Sequence, residues 1–316
     1  MSTGQISSAD PVIEINDLTK RYGPTAAVDG VSLTVRRGEI FGILGPNGAG
    51  KTTTVELLAG LREADGGTIT VLGVDPQRDP AAIRERLGVQ LQASRLPAKV
   101  RVLEALELYA SFYADPADPH ELMDQLGLTE KADVTFAALS GGQQQRLSIA
   151  LALVGNPEIA ILDELTTGLD PQARRETWSL IEEIRDRGVT VVLVTHFMDE
   201  AERLADRLAI IDAGRIVAQG SPAELTAPPD GQRRFRMRLA PGDGDASTIE
   251  RLAHLSEVVA VTSVRDEIEV VGSRRALPAV LLALAERDIV PDEIRTLTRS
   301  LEDVFVELTT TPPEEV

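Results

Sequence analysis

The residues Gly45-Pro-Asn-Gly-Ala-Gly-Lys-Thr52 follow the spacing GxxxxGK[ST] and could hold a phosphate. Glycines in such a loop let backbone N–H groups approach phosphate oxygens, and a helix start adds the positive end of its dipole. Lys51 can reach β- and γ-phosphates, and the Thr52 hydroxyl can ligate Mg²⁺. Two further places carry matching chemistry. In Asp163-Glu164, the first carboxylate could serve Mg²⁺, directly or through water, while the second polarises an attacking water. His196 could contact a γ-phosphate or hold that second carboxylate. Each has an ordinary reading when taken alone: a glycine-rich turn, an acidic strand exit, a structural histidine. His120 and His254 have no comparable placement and receive no role.

Each feature is placed by the element before it. Glu39–Leu44 reads as a short buried strand and Thr53–Leu61 as a helix, which gives the strand, loop and helix context that a phosphate loop needs. Glu158–Leu162 is a continuous apolar run, as expected of a central parallel strand covered on both faces. Val189–Thr195 is similar and runs into His196. Open α/β sheets bind ligands beyond the carboxyl ends of their strands, so three such ends predict one site.

Another anion-binding segment is Leu139-Ser-Gly-Gly-Gln143, followed by a helical pattern with Leu147, Ala150, Leu151 and Val154 on one face. Ser140 is a natural N-cap, and Gly141 and Gly142 leave bare N–H groups at the helix start. A capped surface helix after a glycine turn would look the same.

With these residues the sequence resembles the nucleotide-binding subunit of an ATP-binding cassette (ABC) transporter. Gly45–Thr52 resembles the Walker A motif, Leu139–Gln143 the signature motif and Ile159–Glu164 the Walker B motif. Gly168-Leu-Asp170 resembles the D-loop, His196 the switch histidine, and Tyr22 the aromatic that stacks on adenine. Gln92 falls where the Q-loop glutamine lies. The order and spacing agree over about residues 10–225. The resemblance implies an α/β P-loop NTPase fold, a mixed sheet core with a helical subdomain at about 92–156, and ATP and Mg²⁺ as ligands. It assigns Gly45, Pro46, Asn47, Gly48, Ala49, Gly50, Lys51, Thr52, Thr53, Tyr22 and Gln92 to the nucleotide, with Ser140, Gly141, Gly142, Gln143 and Asp170. It gives Thr52, Gln92 and Asp163 to the metal, and Glu164, His196 and Lys51 to catalysis. It also implies head-to-tail pairing, in which each signature motif caps the nucleotide on the other cassette's Walker A. The second cassette would be an identical or a related chain. The helical subdomain would meet a separate integral-membrane permease subunit, which places this chain peripherally on the cytoplasmic face of the membrane. One departure is Leu165, where the family usually has proline. The loop there regains an N–H, and with both carboxylates present hydrolysis is expected to survive.

Composition fits that picture. A chain of 316 residues with 43% hydrophobic and 26% charged residues suits one large domain and a smaller one. No apolar run approaches the ~18 residues of a membrane span, so any crossing must come from another chain. Met1–Asp10 does not read as a secretory signal. A net charge of −18 disfavours broad electrostatic binding to nucleic acid. The absence of cysteine excludes disulfides and thiolate metal sites, and suits a reducing cytoplasm.

Pro222 and the segment 226–231 mark a boundary, with the cassette at 1–229 and an accessory domain at 230–316. In the latter, Arg234-Phe-Arg-Met-Arg-Leu239 alternates as a half-buried strand whose arginines face a solvated edge or an anion. A helix over Ser247–Leu255, strands near Val258–Ser263 and Glu267–Val271, a helix over Arg275–Arg287, a strand near Glu293–Thr298 and a helix over Leu301–Leu308 follow. The order βαββαβ suggests a small α+β, ferredoxin-like module, regulatory or dimer-supporting, with disorder expected from Thr310. Leu301-Glu-Asp-Val-Phe-Val-Glu-Leu-Thr309 resembles the ending of cassettes of the daunorubicin-resistance type, which serve ABC-2 exporters. Export of a drug, lipid or polysaccharide is therefore the leading expectation. A soluble cassette ATPase acting on ribosomes or DNA, an importer ATPase, and a regulatory module without turnover are the alternatives.

Overall fold

The computed structural model describes residues 10–91, 96–228, 231–240, 242–297 and 299–310. The chain divides into two units at Pro222/Ala223.

The first unit begins with two long antiparallel strands, β1 (Pro11–Tyr22) and β2 (Thr25–Arg36). β3 (Ile40–Leu44) enters the core and is followed, after the glycine-rich loop, by α1 (Lys51–Leu58). β4 (Gly66–Val71) returns to pair with β1, which closes a three-stranded antiparallel sheet ordered β2-β1-β4. Alternating burial in β1 and β2 puts Val28, Val31, Leu33 and Val35 inward against α1 and the underside of the larger sheet.

That larger sheet is built from β3, β5 (Leu87–Gln90), β6 (Ile159–Asp163), β7 (Thr190–Thr195), β8 (Arg207–Asp212) and β9 (Arg215–Gly220), in the order β5-β6-β7-β3-β8-β9. Its first five strands run parallel and β9 is antiparallel to β8, so the sheet is mixed. Every residue of β3, β6 and β7 is buried, as strands covered on both faces require. These three are neighbours in the sheet, so the carboxyl ends singled out in the sequence lie side by side.

Helices cover the sheet. After α2 (Pro80–Arg84), a helical layer comprises α3 (Val102–Ala110), α4 (Pro119–Gln125) and α5 (Gly141–Leu153). Their apolar faces form one core with α6 (Pro171–Asp186) and α7 (Met198–Leu204). Leu106, Met123, Leu147 and Ile181 are fully or almost fully buried in it.

In the second unit, after α8 (Pro222–Leu225), come β10 (Arg233–Arg238), α9 (Ala246–Ala253), β11 (Val258–Val264), β12 (Glu267–Gly272), α10 (Ala276–Ala285), β13 (Glu293–Leu297) and α11 (Leu301–Thr310). Its antiparallel sheet has the order β11-β12-β10-β13, with α9 and α10 packed on one face around Phe235, Met237 and Val270. Several boundaries differ from the sequence reading by a residue or more. The division falls before the proline-rich stretch at 226–231, and α11 continues to Thr310 rather than ending at Leu308.

Candidate functional site

The glycine loop is pinned from both sides. The Gly214 N–H donates to Ala49 O at 2.9 Å, and the Asp29 N–H donates to Gly214 O at 2.9 Å, so the β8–β9 turn ties the loop to β2. A Cβ at Gly45 would stand 2.2 Å from Ile211 O, and one at Gly50 would stand 2.1 Å from Ala27 O. Gly50 also has φ +102°, outside the range of other residues. These glycines are therefore required by the loop's own packing as well as by any phosphate.

Lys51 opens α1 and is only 4% exposed. Its ammonium donates to Gly45 O at 2.8 Å and Pro46 O at 3.0 Å. Burial pushes the Lys51 ammonium below its ordinary value, and the charges of Glu164 and Asp163 oppose that shift. A cavity of about 310 Å³ opens beside it, lined by Ala27, Asn47, Gly48, Gly50, Lys51, Thr52, Thr53 and Glu164. A buried cation, a helix start and glycine N–H groups around one cavity fit a polyphosphate. Of the remaining loop residues, Gly45, Pro46 and Ala49 shape the turn without lining the cavity.

The second strand end reaches this cavity through Glu164, and the third joins it through the contact of His196 with Glu164. Glu164 Oε1 lies 3.9 Å from Lys51 Nζ and 3.1 Å from His196 Nδ1. A carboxylate only accepts, so Nδ1–H of His196 is the donor and Nε2 is left for another partner. The Glu164 N–H donates to Val194 O at 2.8 Å and the residue has φ +51°, a left-handed conformation uncommon outside glycine. Leu165 follows Glu164 without the ring by which a proline restricts the residue before it. Leu165 itself is fully buried in the core beneath the helical layer.

Asp163 is 1% exposed, and its N–H donates to Gln90 Oε1 at 3.2 Å, a contact from β5 that carried no signal in the sequence. The Thr52 hydroxyl and Asp163 carboxylate are hard oxygen donors of the kind Mg²⁺ takes in small number alongside phosphate. Among the described residues no group of three or more His, Asp or Glu side chains could hold a metal by itself. Gln92, the third expected ligand, lies outside the described residues.

Tyr22 ends β1 and is 43% exposed. The Arg62 guanidinium and Lys20 ammonium lie 5.6 and 5.8 Å from its ring centre. Ala27, which lines the cavity, lies two residues along β2 from Thr25, the strand partner of Tyr22.

Ser140, Gly141, Gly142, Gln143 and Asp170 gather elsewhere, around a cavity of about 450 Å³ that shares no lining residue with the first. Ser140 Oγ accepts from the Gln143 N–H at 3.3 Å, and Gln143 Oε1 accepts from the Ser140 N–H at 3.0 Å, a reciprocal capping box at the start of α5. Asp170 caps α6 by accepting from the Gln172 and Ala173 N–H groups, and these bonds hold its carboxyl below the usual range. Within one chain, then, the structure brings Lys51, Asp163, Glu164 and His196 together and gathers the signature residues and Asp170 at a separate cavity.

A P-loop cassette is the class this sheet and these strand ends define. The sequence profile described as "ABC transporter" matches residues 28–167. The daunorubicin/doxorubicin resistance ATP-binding protein DrrA of Streptomyces peucetius is 38% identical over 313 residues, covering 96% of this chain and 94% of that protein. DrrA3 of Streptomyces coeruleorubidus is 37% identical, covering 95% and 96%. The Nod factor export ATP-binding protein I of Ralstonia nicotianae is 43% identical over 220 residues, covering 68% of each. Among solved structures, cbiO1 from Clostridium perfringens, part of an ABC transporter complex, superposes with a TM-score of 0.62 at 28% identity, covering 68% of this chain and 90% of that one. An ATP-binding cassette in a dimeric post-hydrolysis state bound to ADP and Pi gives 0.59 at 26%, covering 66% and 98%. The chain belongs to the ABC transporter family as an ATP-binding subunit. It hydrolyses ATP to ADP and phosphate, with Mg²⁺ as the nucleotide's partner, to power transport. Cassette dimerisation and a membrane permease partner are general to this family. Among the described residues no helix is long and apolar enough to cross a membrane.

Proposed function

We propose that this chain powers an exporter of the drug-resistance type, with Glu164 and His196 as the hydrolytic pair. The supporting observation is the approach of Glu164 Oε1 to both His196 Nδ1, at 3.1 Å, and Lys51 Nζ, at 3.9 Å, at the ends of adjacent strands. In this reading the loop from Gly45 to Thr53 cradles the phosphates, Lys51 turns from its loop carbonyls to them, and Tyr22 stacks on adenine. Thr52 and Asp163, with Gln92, would hold Mg²⁺, which would supply positive charge to offset that of the phosphates. Glu164 accepts a proton from the attacking water while His196 fixes the carboxylate's direction. Ser140, Gly141, Gly142, Gln143 and Asp170 complete the site of a second cassette, identical or related, rather than their own.

Export is favoured over import or a ribosomal role because the relatives matched along nearly their whole length are resistance ATP-binding proteins. The cassette then sits peripherally on the cytoplasmic face of the membrane, against a separate permease chain. We read residues 230–316 as a ferredoxin-like accessory module, regulatory or dimer-supporting, from its βαββαβ order. Glu164→Gln should keep ATP affinity and lower Mg²⁺-dependent turnover by on the order of 10²–10⁴-fold, the usual contribution of a general base. Turnover at the parent rate would remove Glu164 from this role.

A further inference from the structure

One buried amide takes no part in the chemistry above. Gln90 is the last residue of β5 and is 7% exposed. It lies opposite Leu162 of β6, which is fully buried in the apolar core, so packing alone would ask for another apolar side chain. Gln90 Oε1 accepts from the Asp163 N–H at 3.2 Å, and Gln90 Nε2 donates to Leu91 O at 3.1 Å. The two partners fix which end of the amide is which, since an N–H needs an acceptor opposite it and a carbonyl needs a donor. An aliphatic chain of the same length would make neither bond.

These bonds lie where β6 leaves the sheet. The paired residues of β5 and β6 end at Gln90 and Leu162. On the other side of β6, Asp163 pairs with Val194 of β7, and the Glu164 N–H donates to Val194 O at 2.8 Å. Asp163 is thus held from β7 by backbone and from β5 by a side chain, immediately before the left-handed turn at Glu164. We propose that Gln90 is a positioning residue for the metal site: its amide holds the Asp163 backbone against β5 and so fixes the direction of the carboxylate that would take Mg²⁺. This rests on the reading of Asp163 as a metal ligand. A group that orients a ligand from behind acts on metal affinity, whereas the phosphate loop is built from other residues.

The test compares Gln90→Met, Gln90→Val and Asp163→Asn with the parent in the full chain. It reads equilibrium binding of a non-hydrolysable ATP analogue in EDTA and in Mg²⁺, and the ratio of the two affinities isolates the metal. Methionine is close to glutamine in length and valine suits a buried strand, so both variants should fold with neither bond made. In each, affinity in EDTA should stay within about twofold of the parent, because the phosphate loop is untouched, and the gain from Mg²⁺ should shrink by on the order of tenfold. A parent-like gain in either variant would overturn the proposal. So would an affinity in EDTA that falls as far as the affinity in Mg²⁺, which is what loosened packing alone would produce. If Gln90→Met does not fold, Gln90→Val decides. The premise fails separately. If Asp163→Asn keeps the parent's gain from Mg²⁺, or the parent shows none, Asp163 is not a ligand that contributes to binding and the proposal falls with it. If Asp163→Asn loses the gain and Gln90→Met keeps it, this inference alone is removed.

Discussion

On the four-stranded sheet of the second unit, Arg236 meets Glu269 at 2.8 Å, Arg234 meets the same carboxylate at 3.4 Å, and Arg238 meets Glu267 at 3.1 Å. These pairs are partly exposed, and each arginine has an acid on a neighbouring strand. At the strand ends of the six-stranded sheet the polar groups are instead inside. Lys51, Gln90, Asp163, Thr166, Thr195 and Glu200 are all buried there, whereas Thr248 is the one buried polar side chain of the second unit among the described residues. Charge on the first sheet neutralises itself at the surface, and the arginine face is engaged as a solvated ladder rather than an anion site. Charge on the second is kept from water and held in a fixed direction. That costs stability in the fold and is what a phosphate-handling site needs.

Breaking the buried arrangement should have the larger consequence. Lys51→Ala removes the only ammonium at the loop cavity among the described residues and should weaken ATP binding by about 10²-fold, as expected for losing bonds to a charged group. Equilibrium binding of labelled ATP measures this, and unchanged affinity would place the phosphates elsewhere. The surface ladder should be nearly silent. Glu269→Ala leaves Arg234 and Arg236 without their shared partner and should cost about 0.5–1 kcal/mol in chemical denaturation, with kcat unchanged. A marked fall in kcat would mean that this face takes part in turnover, and the contrast between the sheets would fail.

The strand ends were legible because they are local. The GxxxxGK[ST] run, the apolar runs before Asp163 and His196, and the Ser140 cap each declare themselves within a few residues. Their adjacency followed from the general placement of ligands at parallel strand ends, and the order β6-β7-β3 supplies it. Contacts between distant segments were not legible. The sheet β2-β1-β4, the Gln90 bond to the Asp163 N–H and the role of Ala27 as a cavity wall join residues that share no local pattern. Leu165 marked a departure in the sequence, but only the backbone shows that it accompanies a left-handed Glu164. Glu200 did carry a signal that went unread: with Ala201 and Leu204 it falls on the buried face of a short helix, where an acid is out of place.

The separation of the two cavities within one chain is the central point, since the proposed function makes the Lys51 pocket half of a site. The most direct measurement is the solution mass of Glu164→Gln by light scattering, with and without Mg²⁺-ATP, alone and combined with Ser140→Arg. The mass should double on adding Mg²⁺-ATP to Glu164→Gln and stay at one chain in the double variant, with nucleotide still bound to Lys51's loop. A single-chain mass at saturating ATP, or a dimer indifferent to Ser140→Arg, would contradict a site shared between two cassettes.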